Sequence, residues 1–381
     1  MVLTRRAHRD RMQITRWLPN EVLIEVIDHA PGIPDLESLS RVSKLFHALT
    51  LPVLHRFIVL DTGRLSNDGL KSFCAAMLKH PQRAQATRSM NVTFDNDFSQ
   101  FPDYDLIFQI LKLMKKLEYL CLIDFSQILP TMAAHLGDSL SFPDLRTCRL
   151  GLASEDKKNE APLLRFLVSH PHLTHVRLWV PGFHDAESAQ LRTCLPNLRH
   201  YQGTAGFLPY VSSNALTKAR VAGWGGAFDD ERIAESLKVM TADSDGALVL
   251  SNDCHFADGD ALRDNLTSLS LHIPYVTSLQ IRSWTLQFDM EVLENVSGSL
   301  ESFNRLIYFA LNYTNSEARF VGDDDHSRRR QNVALKWAET CPTLKACCIV
   351  DVAWRKVDDR WEEYQREDFE IETGFYSFDL I

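Results

Sequence analysis

Between residues 18 and 57 apolar side chains recur at helical spacing, in pieces too short to cover one another. Leu18-Pro19 opens a run in which Val22, Leu23, Val26, Ile27 and Ala30 fall at intervals of three and four, one face of a helix. Pro19 suits a first turn, where its missing N–H costs nothing. The stretch PGIP (31–34) ends that helix, because proline disfavours helical backbone in the residue before it. A second short helix carries Leu36, Leu39 and Val42, and a third carries Leu45, Phe46 and Leu49; Pro52 punctuates it, and Val53, Leu54 and Phe57 continue the apolar supply. A segment of about 35 residues cannot bury all these side chains within itself. The pattern therefore predicts an apolar face that something else must cover.

Further along, the period changes. A six-residue string of the form LxxLxL, with apolar substitutions, recurs as LEYLCL (117–122), LRTCRL (145–150), LTHVRL (173–178), LRHYQG (198–203) and LTKARV (216–221). It returns as LTSLSL (266–271), VTSLQI (276–281), LIYFAL (306–311) and LKACCI (344–349), with a weaker TRSMNV at 87–92. The step from 266 to 276 is too short for a full unit, so one of those two strings is a hairpin or a chance match. Helix-like stretches lie between the strings: 103–116, 160–170, 229–240 and 328–339. A short strand plus a helix, repeated, resembles the leucine-rich-repeat architecture in an irregular form. That resemblance implies an α/β solenoid with parallel strands on its concave face and helices on its convex face.

The opening helices resemble the F-box. The matching residues are Leu18-Pro19-Asn20-Glu21-Val22-Leu23, then Ile27, Asp35-Leu36, Leu39, Val42-Ser43-Lys44 and Phe46. The sequence departs from the family in a PGIP loop one residue longer than usual, in Ala30 where a larger aliphatic is common, and in Phe46 where tryptophan is frequent. The resemblance implies docking on the Skp-family adaptor of a cullin–RING ubiquitin ligase through Leu18, Pro19, Val22, Leu23, Leu36, Leu39 and Val42. A plain helical hairpin packed on the following domain is the alternative, and only docking predicts an exposed apolar face on the isolated chain.

Composition narrows the field. The 381 residues carry a net charge of −9, so non-specific attraction to nucleic acid or anionic membrane is not expected. Eight cysteines without a CxxC pair make neither a disulfide framework nor a zinc site and fit a reducing compartment, cytoplasmic or nuclear. Five arginines in the first 16 residues, with no apolar core, read as a basic arm over 1–15 rather than a secretory signal. No apolar run approaches the ~20 residues of a membrane span. The expected division is an F-box domain over 16–60, a repeat region over 61–350 and an acidic, aromatic cap over 351–381. GDDDHSRRR (322–330) is expected as an exposed loop.

Candidate chemistry is sparse. Gly137-Asp138-Ser139-Leu140-Ser141 resembles the nucleophile block of GDSL-type esterases, with Asn252-Asp253 and Asp323…His326 in the right order behind it. The context argues against a hydrolase: a nucleophile needs a base within hydrogen-bond reach, and units several repeats apart in a solenoid do not touch. His170, His172 and His175 fit a helix-to-strand turn better than a metal site; Gly223-Trp224-Gly225-Gly226 lacks the Lys-Ser/Thr of a phosphate loop; Cys254-His255 lacks partners at ligand spacing. No cofactor and no metal is expected.

The strongest binding signal is a ladder. Strand side chains alternate, so the third and fifth positions of each string face away from the leucines. Thr147 and Arg149, His175 and Arg177, His200 and Gln202, and Lys218 and Arg220 then form two rows on the concave face, with Trp179 beside them. Arg149, His175, Arg177, Trp179, His200, Lys218 and Arg220 are the candidate substrate-binding residues, suited to an acidic or phosphorylated protein segment. A register misread by one residue would bury them instead. The chain is thus expected to be a non-catalytic recruiter of protein substrates to a ubiquitin ligase. A stand-alone repeat scaffold is the alternative, and a GDSL-type hydrolase a third reading.

Overall fold

A computed structural model describes residues 18–30, 32–94, 104–123, 140–151, 160–179, 193–224, 230–242, 247–286, 288–313 and 324–376. The chain divides into two compact units, residues 1–122 with 139–145 and residues 123–138 with 146–381.

The first unit opens with three short helices, α1 (Asn20–Asp28), α2 (Ile33–Ser40) and α3 (Lys44–Leu54). Both α1 and α2 pack on α3. Neither α1 nor α2 has a side-chain N-cap, whereas the Ser43 hydroxyl accepts the Phe46 amide at the start of α3. Then come β1 (Phe57–Asp61), α4 (Asn67–Lys79), α5 (Pro81–Ala86), β2 (Ser89–Thr93), α6 (Tyr104–Leu113) and β3 (Tyr119–Ile123). β1 and β2 run parallel, with Phe57 opposite Ser89. The Arg56 carbonyl accepts the amides of Arg88 and Ser89, and the Arg88 carbonyl accepts those of Glu118 and Tyr119.

The second unit repeats this joint along a longer sheet. Its elements are β4 (Thr147–Gly151), α7 (Glu160–Val168), β5 (His175–Trp179), β6 (Thr193–Cys194), β7 (His200–Thr204), β8 (Val211–Ser212), β9 (Lys218–Ala222), α8 (Asp230–Met240), β10 (Val249–Cys254), α9 (Gly259–His272), β11 (Ser278–Ser283), α10 (Met290–Leu300), β12 (Tyr308–Tyr313), α11 (Asp324–Thr340), β13 (Ala346–Ile349), β14 (Val352–Val357), β15 (Arg360–Tyr364) and α12 (Arg366–Thr373). The sheet order is β4-β5-β7-β9-β10-β11-β12-β13-β14-β15; β6 and β8 pair separately. Strands from β4 to β13 are parallel, and β14 and β15 are antiparallel. At most parallel steps one carbonyl before a strand accepts two amides of the next, as Arg146 does from Thr174 and His175, and Thr277 does from Ile307 and Tyr308. This is the strand-and-helix repeat expected of a leucine-rich-repeat sheet.

The repeat leucines hold the core. Leu145, Leu173, Leu198, Leu216, Leu248, Val276, Leu306 and Leu344, each just before its strand, are all buried, as are the inward strand residues Leu150, Leu178, Val221, Ile281 and Leu311. The structure resolves the short step: LTSLSL lies in α9, where Leu266 and Leu269 face the core one helical turn apart. It also adds β10, whose LSND segment hid its strand because Ser251, Asn252 and Asp253 are polar yet buried. Asn252 donates to Asn265, and Asn265 donates to the Trp224 carbonyl, so the side-chain amides are engaged inside the repeat.

One expectation is corrected. Residues 324–330 form the start of α11 rather than a loop; acidic residues suit a helix N-terminus, and Arg330 is buried against Asp351 at 2.9 Å. The C-terminal segment is ordered at the end of the sheet. The β14–β15 hairpin extends the sheet through a two-residue turn with Asp358 and Asp359 at positive φ, as such turns demand. α12 then lies across a sheet face, where Phe369 and Phe375 pack with Ala310, Ala346, Cys348 and Ala353. Those small side chains let the helix approach closely.

Candidate functional site: two interaction surfaces

The first surface is on α1–α3. Leu18, Val22, Ile24, Val26, Ile33, Val42 and Leu45 are between 39% and 65% exposed. So many large apolar side chains in water on so short a segment mark an exposed apolar surface among the described residues. Of the residues expected to dock, Leu18, Pro19, Val22 and Val42 are exposed, and Leu39 is half-buried. Leu23 and Leu36 are not on the surface: at 3% and 7% exposure they are the core of the module together with Ile27. Ile24, Val26, Ile33 and Leu45 join the face instead. Val26 and Leu45 belong to the apolar runs already read from the sequence; Ile24 and Ile33 are the additions.

The second surface is the sheet face that carries the predicted rows. The register agrees with the sequence reading: Thr147 pairs with His175, His175 with His200, and His200 with Lys218, while Arg149 pairs with Arg177, Arg177 with Gln202, and Gln202 with Arg220. The side chains are half-buried rather than open, with Gln202 and Arg220 buried. Arg177 lies over the Trp179 ring at 5.7 Å. The His175 and His200 rings meet edge to face at 4.2 Å.

Arg220 departs from the expectation. Its Nε donates to Asp253 Oδ2 at 2.9 Å, and Arg282 reaches Asp253 Oδ1 at 3.7 Å. Asp253 is fully buried and Arg220 is 7% exposed. Arg220 is therefore committed to an internal ion pair, which its sequence position could not reveal because β10 was not recognised. The far part of the same face is occupied by α12. Lys218 Nζ donates to the Gly374 carbonyl at 3.4 Å, and the Tyr308 hydroxyl donates to Glu372 at 3.1 Å.

Electrostatics on this face run one way. Burial first, then His175, Lys218 and Arg199, push the His200 imidazole down to about 4. Burial, Lys218 and Arg199 lower His175 as well. Burial and the surrounding cationic groups thus both disfavour the charged imidazoles.

Among the described residues the remaining candidates are not brought together. Asn252 is buried and engaged with Asn265; Ser139, Asp323 and the His326 side chain lie outside the described residues. His170 is buried with Nδ1 2.6 Å from the Phe166 carbonyl, while His172 is exposed and His175 sits on the ladder face. Cys254 bonds the Trp224 carbonyl, and burial raises its thiol to about 12, far from a reactive thiolate. Among the described residues no group of three or more His, Cys, Asp or Glu could hold a metal ion, and no helix is long and apolar enough to cross a membrane.

No protein-family model and no curated protein matches the chain. Among solved structures, the leucine-rich repeat-containing protein LegL7 from Legionella pneumophila is similar at 14% identity over 84% of this chain and 87% of that one, with a TM-score of 0.44. TLR13, solved in complex with ssRNA13, is similar at 13% identity over 77% of this chain and 35% of that one, with a TM-score of 0.32. At such values the leucine-rich-repeat reading stands on the repeat geometry of the chain itself.

Proposed function

We propose that the chain is the substrate-recruiting subunit of a cullin–RING ubiquitin ligase, docking on a Skp-family adaptor through α1–α3 and holding a target protein on its repeat sheet. The observation that carries this reading is the apolar face of Leu18, Val22, Ile24, Val26, Ile33, Val42 and Leu45, on the segment whose sequence resembles the F-box. A hairpin serving only to pack on the rest of the chain has no use for these side chains in water. The chain performs no reaction in this account; it acts by proximity, raising the effective concentration of the target beside the ligase. With Leu23 and Leu36 buried, the docking residues in this reading are the exposed Leu18, Pro19, Val22 and Val42 with their exposed apolar neighbours.

Co-expression with a Skp-family adaptor tests the reading. The full chain co-purifies with it at one-to-one stoichiometry, and Val22→Asp with Val26→Asp removes the complex while the circular-dichroism melt is kept. If the wild-type chain elutes alone, docking is wrong, and a stand-alone repeat scaffold, which the sheet by itself also supports, takes its place.

A further inference from the structure

The first strand leaves one side of its backbone open. β1 (Phe57–Asp61) pairs with β2 and, among the described residues, with no strand on its other side. The Arg56 carbonyl accepts the Ser89 amide, and the Thr62 amide donates to the Thr93 carbonyl. Backbone groups alternate along a strand, so Ile58 and Leu60 also turn their amides and carbonyls to β2, and Phe57 and Val59 turn theirs to the free edge. The same two residues carry side chains that are 66% and 72% exposed. Edge strands are ordinarily blunted by charge, by proline or by a covering element. β15 follows that rule, with Arg360, Glu362 and Glu363 exposed. Between Arg56 and Asp61, β1 has neither a charge nor a proline.

The pattern of the strand says what fits beside it. The open stretch ends at Asp61, whose carbonyl accepts the Arg64 amide and whose carboxylate accepts the Gly63 amide. What remains, Phe57 and Val59, is symmetric about Ile58. A second copy laid antiparallel, with the two-fold through Ile58, sets Phe57 opposite the Val59 of that copy and Val59 opposite its Phe57. Each exposed apolar side chain then meets another, and the outward amides and carbonyls bond in pairs. Arg56 precedes the apolar run and Asp61 closes it, so antiparallel copies bring unlike ends together, whereas parallel copies would set like charges side by side. Arg56 keeps its ion pair with Asp28 at 3.9 Å and its place over the Phe57 ring at 5.6 Å; the seam requires neither to break.

We infer that two copies of the chain pair through β1, antiparallel about Ile58, in an isologous contact closed by one two-fold. The inference does not depend on adaptor docking, which is assigned to α1–α3.

The test is sedimentation equilibrium of the full chain. Two Phe and two Val side chains with paired backbone bonds make a seam of the small, transient class, so a monomer–dimer equilibrium with a dissociation constant of tens of micromolar is expected between about 1 and about 200 µM protein. Val59→Lys puts a charge in the seam and weakens association at least tenfold, with an unchanged urea melt because the side chain is exposed. Val59→Pro removes an amide that β2 does not use and has the same effect; should it not fold, slowed exchange of the Phe57 and Val59 amides at high wild-type concentration serves in its place. Val22→Asp with Val26→Asp leaves association as it is. A monomer throughout the range overturns the inference, as does a dimer unchanged by Val59→Lys. Loss of the dimer in the Val22→Asp, Val26→Asp variant overturns it too, since the contact between copies would then lie on α1–α3.

Discussion

The three opening helices and the repeat sheet use apolar residues in opposite ways. Across α1–α3 the buried apolar set is Leu23, Ile27 and Leu36, while seven large apolar side chains face water. Along β4–β13 the leucine of every unit is buried, and even polar side chains such as Ser251, Asn252, Asp253 and Gln280 are enclosed. The helical ends differ too: α9 and α10 are capped by Asp258 and Asp289, whose side chains accept amides of their first turns, whereas α1 and α2 have no such cap. Stacked units complete one another, so their stability is internal. The short module leaves its large apolar side chains in water, which is what the proposed docking on a partner would cover.

Removing Asp253 should have the largest effect. Asp253→Ala leaves Arg220 and Arg282 without their shared carboxylate, and a buried charge stripped of its partner costs about 3–5 kcal/mol. A urea midpoint within error of the wild type would mean that the pair is not a structural element of the sheet. The next effect separates the two faces of α1. Leu23→Asp places a charge in the module core and should destabilise it by about 3 kcal/mol, abolishing adaptor binding through unfolding. Val22→Asp, one residue earlier and exposed, should change stability by no more than about 0.5 kcal/mol yet abolish binding. Thermal melts and co-purification of the two variants break the comparison if both behave alike.

A smaller effect is expected in the pH dependence of the sheet. His200 titrates near 4 when folded, against an ordinary value of about 6.5. Between those values the unfolded chain binds a proton that the folded chain refuses, so stability falls as pH drops from about 6.5 to about 4. Burial is the main cause, and the titratable and charged groups that face His200 are His175, Lys218 and Arg199. His200→Gln should flatten the fall of the urea midpoint over that range; an equally steep fall would assign it to other groups.

Much of this architecture was legible in the chain. LxxLxL strings marked β2–β5, β7, β9 and β11–β13, because a strand that buries every second residue must repeat its apolar letters. The ladder register followed from the same alternation. What stayed hidden was polar and buried, or nonlocal. β10 satisfies Asn252 through Asn265 and Asp253 through Arg220, so its letters look like a loop. β1 (Phe57–Asp61) was absorbed into the preceding apolar run, since Phe57 and Val59 face water and Ile58 and Leu60 face inward. The fold of α12 onto the sheet depends on small residues at Ala310, Ala346 and Ala353, contacts between segments about 15 to 65 positions apart that no local pattern carries. On α1, helical spacing identified an apolar face but not which of two apolar faces is covered.

The central claim is that α1–α3 is a docking surface left open for a partner. Backbone amide hydrogen exchange, followed residue by residue on the full chain with and without a Skp-family adaptor, addresses it directly. The account predicts that amides of 20–54 exchange quickly in the free chain and slow at least tenfold in the complex, while those of β10–β13 exchange slowly and equally in both. Unchanged exchange over 20–54 in the presence of saturating adaptor, or protection already complete in the free chain, would contradict it.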